Sequence, residues 1–186
     1  ELAAPAATIA ETRKELGMTL SRTSALSRSI EELTTVLGFY EGQGDSYNIA
    51  QTSVELACSL GLGGRPSEAI GYLERARGIW DNLGNDNFLV QTMIALGVNY
   101  YLTGDFSQSE AILRQGVEVA SRAGNLKWEM YLWDSIADIK REEGSYQEAL
   151  DIYSSVLDQV WVVNDAFIAV ELMDGVANTY RLMGQI

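Results

Sequence analysis

Leu96-Gly97-Val98-Asn99-Tyr100-Tyr101-Leu102-Thr103-Gly104-Asp105-Phe106 is the stretch that decides the fold. It has the pattern of a helix end, because a small residue follows a leucine, an aromatic residue comes three positions later, and a Gly-Asp pair stops the run. The same pattern returns on both sides at a fixed step of 40 residues. The glycines that mark this step are Gly64, Gly104, Gly144 and Gly184.

A second set of turn residues runs in step with these glycines, again 40 residues apart. It consists of Gly44-Asp45, Gly84-Asn85, Gly124-Asn125 and Asn164-Asp165. Two turns in one strict period predict two helices per repeat, of about 17 residues each with turns of about three. We expect one array with repeats at 5–44, 45–84, 85–124 and 125–164 and a half repeat at 165–186. In this register Ser24 and Asn164 stand at positions where other turns have glycine.

Two positions in every full repeat are always small. The first-helix position holds Gly17, Ala57, Gly97, Ala137 and Ala177, and the second-helix position holds Ser29, Ala69, Ser109 and Ala149. Small residues let two helix axes approach to the short end of the roughly 8–10 Å packing range. One hairpin cannot bury both of its apolar faces, so neighbouring hairpins must stack. The predicted fold is all-α, a solenoid of antiparallel helical hairpins.

The composition argues against several classes of protein. The net charge of −13 repels phosphate backbones and argues against nucleic acid or anionic membranes as partners. A hydrophobic content of 47% argues against disorder, and no apolar run approaches the roughly 20 residues that a membrane span needs. The single cysteine cannot form an internal disulfide, which favours a reducing compartment such as the cytoplasm. The chain begins at Glu1 without a visible signal peptide, so we expect a piece of a longer protein.

Few residues could carry chemistry. The chain has no histidine, so Cys58 lacks a partner for thiol catalysis and is predicted to be a buried or half-buried small residue. Gly61–Arg65 superficially suggests a phosphate loop but lacks the following Lys-Ser/Thr, and a helix–helix turn is expected. Asp134 and Asp138 lie one helical turn apart, but two carboxylates alone are weak evidence for a metal, and Arg141 is the expected partner. The sequence predicts no enzyme activity, no cofactor and no metal.

These repeats resemble the tetratricopeptide repeat family over essentially the whole chain. The second and fourth repeats carry that family's pattern best, and the fourth includes a tryptophan early in its first helix. The matching residues are Leu56-Ala57, Leu60, Gly64, Ala69, Leu73 and Ala76, and then Trp133, Ile136-Ala137, Gly144-Ser145-Tyr146, Ala149 and Tyr153. We expect Trp133 in the core, and Trp128 and Trp161, which lie near turns, partly exposed.

The departures from the family pattern are informative. The period is 40 rather than the usual 34, Gly-Asn or Gly-Asp replaces the proline that commonly ends the second helix, and Lys140 occupies an aromatic position. The longer form is similar to repeats in MalT-like and other LuxR-type bacterial regulators, and to repeats in eukaryotic spindle-orientation adaptors. The resemblance implies a right-handed superhelix that receives a signal or a partner.

The resemblance also implies that outward positions of each first helix form an inner, concave wall that binds partners. This wall changes from apolar in the third repeat to charged in the fourth and fifth. The residues predicted to contact a ligand or partner are Val98, Tyr101, Tyr131, Asp134, Asp138, Arg141, Asn178 and Arg181. Exposed tyrosine and arginine tend to dominate binding energy, although a solvated helix face is the alternative. Lys14 is the one lysine of its column, which argues against the paired Lys and Asn clamp that some relatives use for a peptide carboxylate.

The acidic end of this wall favours a basic or amide-rich partner. The last helix has no second helix over its apolar residues, so we expect a neighbouring molecule, a homodimer partner or further residues of a longer protein to cover it. The predicted function is a non-enzymatic module that binds a protein, a peptide or a small effector, as the sensing region of a larger bacterial signalling or transcription regulator. The alternative is a pure scaffold or oligomerisation module.

Overall fold

Nine α-helices make up the part of the chain that the structure describes. This computed structural model describes residues 5–163 and 165–184, and the predictions for Asn164 and for the Trp161 side chain lie outside the described residues. The helices are α1 (Ala6–Arg22), α2 (Leu26–Gln43), α3 (Ser46–Leu62), α4 (Pro66–Asn82), α5 (Asp86–Leu102), α6 (Phe106–Arg122), α7 (Leu126–Glu142), α8 (Tyr146–Val163) and α9 (Ala166–Leu182). Each helix packs against the next one along the chain, so the array of hairpins is as predicted.

Residues with positive φ end the helices. Seven glycines have φ between 64° and 80°, a left-handed conformation that glycine adopts without a steric cost. They are Gly44, Gly64, Gly84, Gly104, Gly124, Gly144 and Gly184. Ser24 adopts the same conformation, with φ 60°, at the turn where its alignment with these glycines places it. Gly42 does not end α2, which continues to Gln43 before Gly44 turns the chain.

The Asp or Asn that follows several of these glycines caps the next helix. Asp45, Asn85, Asp105 and Asn125 each accept the amide of the residue three positions later, at 3.1 to 3.3 Å. Each such cap stabilises a helix by about 1 kcal/mol. The repeated Gly-Asp and Gly-Asn pairs therefore end one helix and begin the next, which explains why they keep the period so strictly.

The small positions lie where the two helices of a hairpin come closest. A Cβ atom on Gly97 would lie 2.6 Å from Cγ of Leu113, so no larger residue fits without a shift. Beside this contact the hydroxyl of Ser109 donates to the carbonyl of Gly97 at 2.7 Å. Ser29 and Gly17 form the same hydrogen bond at 2.7 Å in the α1–α2 hairpin. Close approach and a buried hydrogen bond therefore come together at the same point of both hairpins.

The apolar core runs between the odd-numbered and even-numbered helices. Leu33, Leu73 and Leu113 occupy the same position in successive hairpins and are all fully buried. Trp133 and Ile152 contact both clusters of buried residues, so the core continues through the fourth hairpin. Trp133 was expected in the core but is only half-buried, because part of its ring lines a surface pocket between α7 and α8. Trp128 is half-buried, as expected for a residue near a turn.

Candidate functional site

The array curves toward its odd-numbered helices. Each of these helices approaches the next odd-numbered one, from α1 to α9, in addition to its neighbours in sequence. Within the described ranges no pair of even-numbered helices comes as close. The odd-numbered helices therefore form the inner wall of the curve, and the predicted site residues all belong to them.

The inner wall contains a pocket of about 250 Å³ where α5, α6 and α7 meet. Three of the predicted residues, Val98, Tyr101 and Asp138, line it. Sequence reasoning did not assign a binding role to its other lining residues, which are Gly97, Leu102, Ser109, Leu113, Ser135 and Ile139. The place of each of these residues within the 40-residue repeat could be read from the sequence. Which of them border an opening depends on the side chains of three helices together.

Tyr101 closes one side of this pocket with an aromatic ring. The ring is half-buried and packs against Phe106 with 5.4 Å between centroids. Burial raises the pKa of the Tyr101 hydroxyl, and the nearby carboxylates of Glu142 and Asp138 raise it further. The hydroxyl therefore stays protonated and can donate a hydrogen bond at the edge of an apolar surface.

Asp138, Arg141 and Tyr153 form a polar network at the floor of the inner wall. The Tyr153 hydroxyl donates to Oδ1 of Asp138 at 2.6 Å, and Nη1 of Arg141 lies 2.6 Å from the same oxygen. Nη1 of Arg141 also donates to the Tyr153 oxygen at 3.0 Å. Arg141 is thus the partner of Asp138, as expected. Tyr153 was not predicted to take part, although it is the polar member of a column that otherwise holds Leu33, Leu73 and Leu113.

Asp134 differs from the other acidic residues of the inner wall in the large upward shift of its pKa. Burial raises its pKa to about 7, and the negative charges of Asp138 and Glu171 contribute, while Arg141 opposes them. Among the described residues no hydrogen bond or ion pair reaches the Asp134 carboxyl. A carboxyl in this state favours a positively charged or hydrogen-bond-donating group that approaches it, because that group relieves the repulsion from its neighbours.

The other predicted residues lie on the wall but outside the pocket lining. Tyr131 is half-buried, with its ring 5.8 Å from that of Trp128. Asn178 donates to Asp174 on its own helix at 2.8 Å, and Arg181 is exposed at the end of α9. The structure therefore brings the pocket residues together and leaves these three along the edge of the same surface.

Two inner-wall residues of the first hairpins differ in their exposure. Lys14 is buried, with 4% of its surface exposed, and its Nζ lies 3.0 Å from Glu11 and donates to Gln51 at 3.0 Å. The ammonium group of Lys14 is therefore already bound by side chains of this chain, which agrees with the argument against a clamp for a peptide carboxylate. Cys58 is exposed and not buried as expected, because its position faces away from the core, as that of Val98 does one repeat later.

Metal and membrane signals are absent from the described part of the chain. No group of three or more potential metal-binding side chains comes together among residues 5–163 and 165–184. None of the helices described combines the length and the apolar character that crossing a bilayer requires.

Comparison with known proteins agrees with this geometry. Residues 48–122 match the tetratricopeptide repeat family model. The all-α superhelical array is thus of the tetratricopeptide-like type, a fold of protein-interaction modules. No curated protein sequence matches the chain closely enough to count as a relative.

Several solved structures share this tetratricopeptide-like fold. Aspartyl phosphate phosphatase F from Bacillus subtilis superposes with a TM-score of 0.83 at 10% identity, over 98% of this chain and 51% of that one. A signal transduction ATPase from Pyrococcus horikoshii with a tetratricopeptide repeat sensor has a TM-score of 0.83 at 14% identity, over 92% of this chain and 27% of that one. The Rap conjugation gene regulator of plasmid pLS20, in complex with a Phr peptide, has a TM-score of 0.77 at 14% identity, over 93% of this chain and 48% of that one. The chain spans about half or less of these three proteins.

Proposed function

We propose that the chain is a protein- or peptide-binding module that holds a basic segment of its partner on the inner wall. An apolar side chain of the partner enters the pocket of Val98 and Tyr101, and a cationic group lies beside Asp134. Tyr131, Arg141, Asn178 and Arg181 extend the contact surface. The four repeats and the half repeat act as one array, the sensing region of a larger bacterial signalling or transcription regulator in the cytoplasm. The family resemblance and the regulators of similar fold support this assignment.

The observation that carries the proposal is the combination of an apolar pocket with an adjacent carboxyl whose pKa is raised to about 7. A bound cation favours the charged form of Asp134, so binding releases a proton near neutral pH. One unit of pKa corresponds to about 1.4 kcal/mol, enough for roughly a tenfold change in affinity. The site therefore distinguishes a basic segment from an acidic one more strongly than an exposed aspartate does.

We expect a displayed library of random short peptides, selected on the chain, to be enriched in segments that combine Lys or Arg with a large apolar residue. Asp134→Lys weakens the selected peptides by about tenfold or more, because it places a like charge beside the cation. Tyr101→Ala weakens them by a similar factor through loss of an anchor at the pocket. Isothermal titration calorimetry measures both effects, and circular dichroism checks the fold of each variant.

The matched control is Asp158→Lys. Asp158 is exposed on α8, away from the inner wall, and its replacement changes the net charge by the same amount. It leaves the affinity within about twofold, since surface charges at a distance are screened in physiological salt. Equal losses in Asp134→Lys and Asp158→Lys, or enrichment of acidic peptides, would contradict the proposed site.

Oligomerisation through α9 is a second candidate function, favoured by the exposure of one face of that helix. Val170 is 63% exposed, whereas its counterparts Ala50, Val90 and Met130 are at most 2% exposed because the following helix covers them. Phe167 and Met173 are exposed beside Val170, by 63% and 52%. The face therefore continues the interface that each earlier odd-numbered helix uses, without a partner in the described residues.

We propose that a second copy of the chain covers this face, with the two α9 helices antiparallel about a two-fold axis. That arrangement brings Arg181 at the end of one helix toward Glu171 and Asp174 of the other. Sedimentation equilibrium in physiological salt then shows a dimer at high concentration that dissociates on dilution. Met173→Glu gives a monomer, while Ser154→Glu, an exposed position on α8, leaves the dimer intact. A wild-type chain that stays monomeric at every concentration would rule out this second function.

A further inference from the structure

A second pocket lies away from the inner wall, between α7 and α8. Its volume is about 310 Å³, and all of its lining residues belong to these two helices. On α7 they are Leu126, Glu129, Met130 and Trp133, which point about a third of a turn away from the inner-wall residues of the same helix. The pocket is therefore separate from the proposed peptide site, and no function discussed so far uses it.

The pocket has apolar walls and an acidic rim. The walls are formed by Leu126, Met130, Trp133, Ile152 and Val156, and the carboxylates at the rim belong to Glu129, Glu148 and Asp151. No lysine or arginine lines it. Asp151 accepts a hydrogen bond from Gln147 at 2.9 Å, but none of the three carboxylates is in an ion pair within the part of the chain that the structure describes.

The acidic rim is a property of this hairpin and not of the fold. The α1–α2 hairpin has a pocket of about 270 Å³ in the same register, 120 residues earlier. There Arg13 takes the place of Trp133 and Ile9 takes the place of Glu129, and no carboxylate lines the pocket. Arg13 is in an ion pair with Glu32 at 3.3 Å, so this pocket lacks an acidic rim, and packing of the hairpins alone does not require the carboxylates.

We propose that the α7–α8 pocket binds a small organic cation with an apolar body, such as an arylalkylamine. The volume lies at the lower end of the range for small-molecule sites, which are apolar with a few placed polar groups. The indole of Trp133 offers a surface for an aromatic or aliphatic body, and Arg114 holds this ring from α6 with its guanidinium 5.5 Å from the centroid. The three carboxylates attract the ammonium group and repel an anion of the same shape.

Three probes of matched shape test the charge preference. They are 4-phenylbutylamine, 4-phenylbutanol and 4-phenylbutyrate, compared by isothermal titration calorimetry in physiological salt. The amine binds with one site per chain, the alcohol binds several-fold more weakly, and the butyrate does not bind detectably. One site is expected because no carboxylate lines the equivalent pocket of the first hairpin, so nothing there attracts the ammonium group. Equal binding of amine and butyrate, or no binding of the amine, would overturn the proposal.

Two adjacent serines of α8 provide a matched pair of variants that locate the binding. Both are exposed, but only Ser155 lines the pocket. Ser155→Phe fills the pocket and abolishes amine binding, whereas Ser154→Phe leaves the affinity within about twofold. The double variant Glu148→Gln, Asp151→Asn keeps the shape, lowers amine affinity several-fold, and reduces the preference over the alcohol.

A variant on the inner wall separates this site from the peptide site. Asp134→Asn leaves the amine affinity unchanged if the amine occupies the α7–α8 pocket. Loss of binding in Asp134→Asn, or binding that survives in a folded Ser155→Phe variant, would show that the amine lies elsewhere. If Ser155→Phe does not fold, the double variant Glu148→Gln, Asp151→Asn provides the test. An amine affinity equal to that of the wild type in this variant would also refute the site.

Discussion

Asp134→Asn stabilises the folded chain by about 2 kcal/mol at pH 8 and has little effect at pH 4. The reason is the raised pKa of this carboxyl, which burial and the neighbouring charges of Asp138 and Glu171 move from 3.8 to about 7. The folded chain at pH 8 must hold a carboxylate where its surroundings favour the neutral acid. Asparagine has nearly the same shape and carries no charge, so it removes this cost.

The direction of the pH dependence follows from the two pKa values. The unfolded chain releases the Asp134 proton near pH 4 and the folded chain near pH 7, so between these values the folded state binds more protons. Its stability therefore falls as pH rises through this window, by up to about 1.4 kcal/mol per pH unit. Solvent at the half-exposed carboxyl reduces the total below the full difference, which leads to about 2 kcal/mol.

Urea unfolding followed by circular dichroism measures this effect between pH 4 and pH 8. The difference between Asp134→Asn and the wild type grows with pH and levels off above pH 7. The control is Asp174→Asn, which changes the next residue of the same column; Asp174 is exposed and accepts a hydrogen bond from Asn178. Parallel pH profiles for the wild type and Asp134→Asn would contradict the raised pKa.

The same substitution tests whether stability has been given up for binding. Natural proteins often keep a destabilising group where function needs it. If Asp134 holds the cationic group of a partner, Asp134→Asn is more stable than the wild type at pH 8 but binds basic peptides more weakly. A variant that is more stable and binds equally well would show that Asp134 does not contact the partner. The cost of holding its charged form in the folded chain would then have no functional reason.

The sequence pattern predicted the fold well because the turns are specified locally. A glycine in the left-handed conformation and an Asp or Asn cap need only neighbouring residues, so Gly104-Asp105 could be interpreted without a structure. The small positions were equally visible, because helices in contact need space at each crossing. Ser24 shows how far the register holds, since it adopts the turn conformation without being glycine.

The depth of individual side chains could not be predicted in the same way. Register gives the face of the helix on which a residue lies, but its burial depends on the lengths of side chains in adjacent hairpins. Cys58 is exposed and Lys14 is buried, although both belong to the wall, because Gln51 and Glu11 surround the lysine. The pocket beside Val98 and the raised pKa of Asp134 likewise arise from three helices together.

Gly175→Ala destabilises the chain by about 2–3 kcal/mol, which is a large effect for one added methyl group. A Cβ atom at this position would lie 2.6 Å from both Cε1 and Cζ of Tyr153 and 2.9 Å from its hydroxyl oxygen. The Tyr153 ring is fully buried, and its hydroxyl donates to Asp138. The ring cannot move aside without breaking that hydrogen bond, so the substitution also loosens the inner-wall network.

Urea unfolding measures the loss, and Gly78→Ala and Gly116→Ala are the matched controls. Nothing lies within 4 Å of a Cβ on Gly78, which is exposed in the C-terminal half of α4, so alanine there stabilises the helix by about 0.5–1 kcal/mol. A Cβ on Gly116 would lie 2.8 Å from Cδ2 of Leu132, the end of a flexible side chain, so its cost is smaller than at Gly175. Equal stability of Gly175→Ala and the wild type would refute the predicted clash.

The column that contains Gly175 explains why glycine is needed there. The residues that precede it at steps of 40 are Glu55, Ala95 and Ser135, and the 40-residue register pairs them with Leu33, Leu73 and Leu113 as it pairs Gly175 with Tyr153. The largest of the facing side chains is thus matched by the smallest residue. Tyr153→Leu in the Gly175→Ala background therefore recovers part of the lost stability, with a coupling of about 1 kcal/mol or more in the double-mutant cycle. Additive effects would show that the two residues do not limit each other.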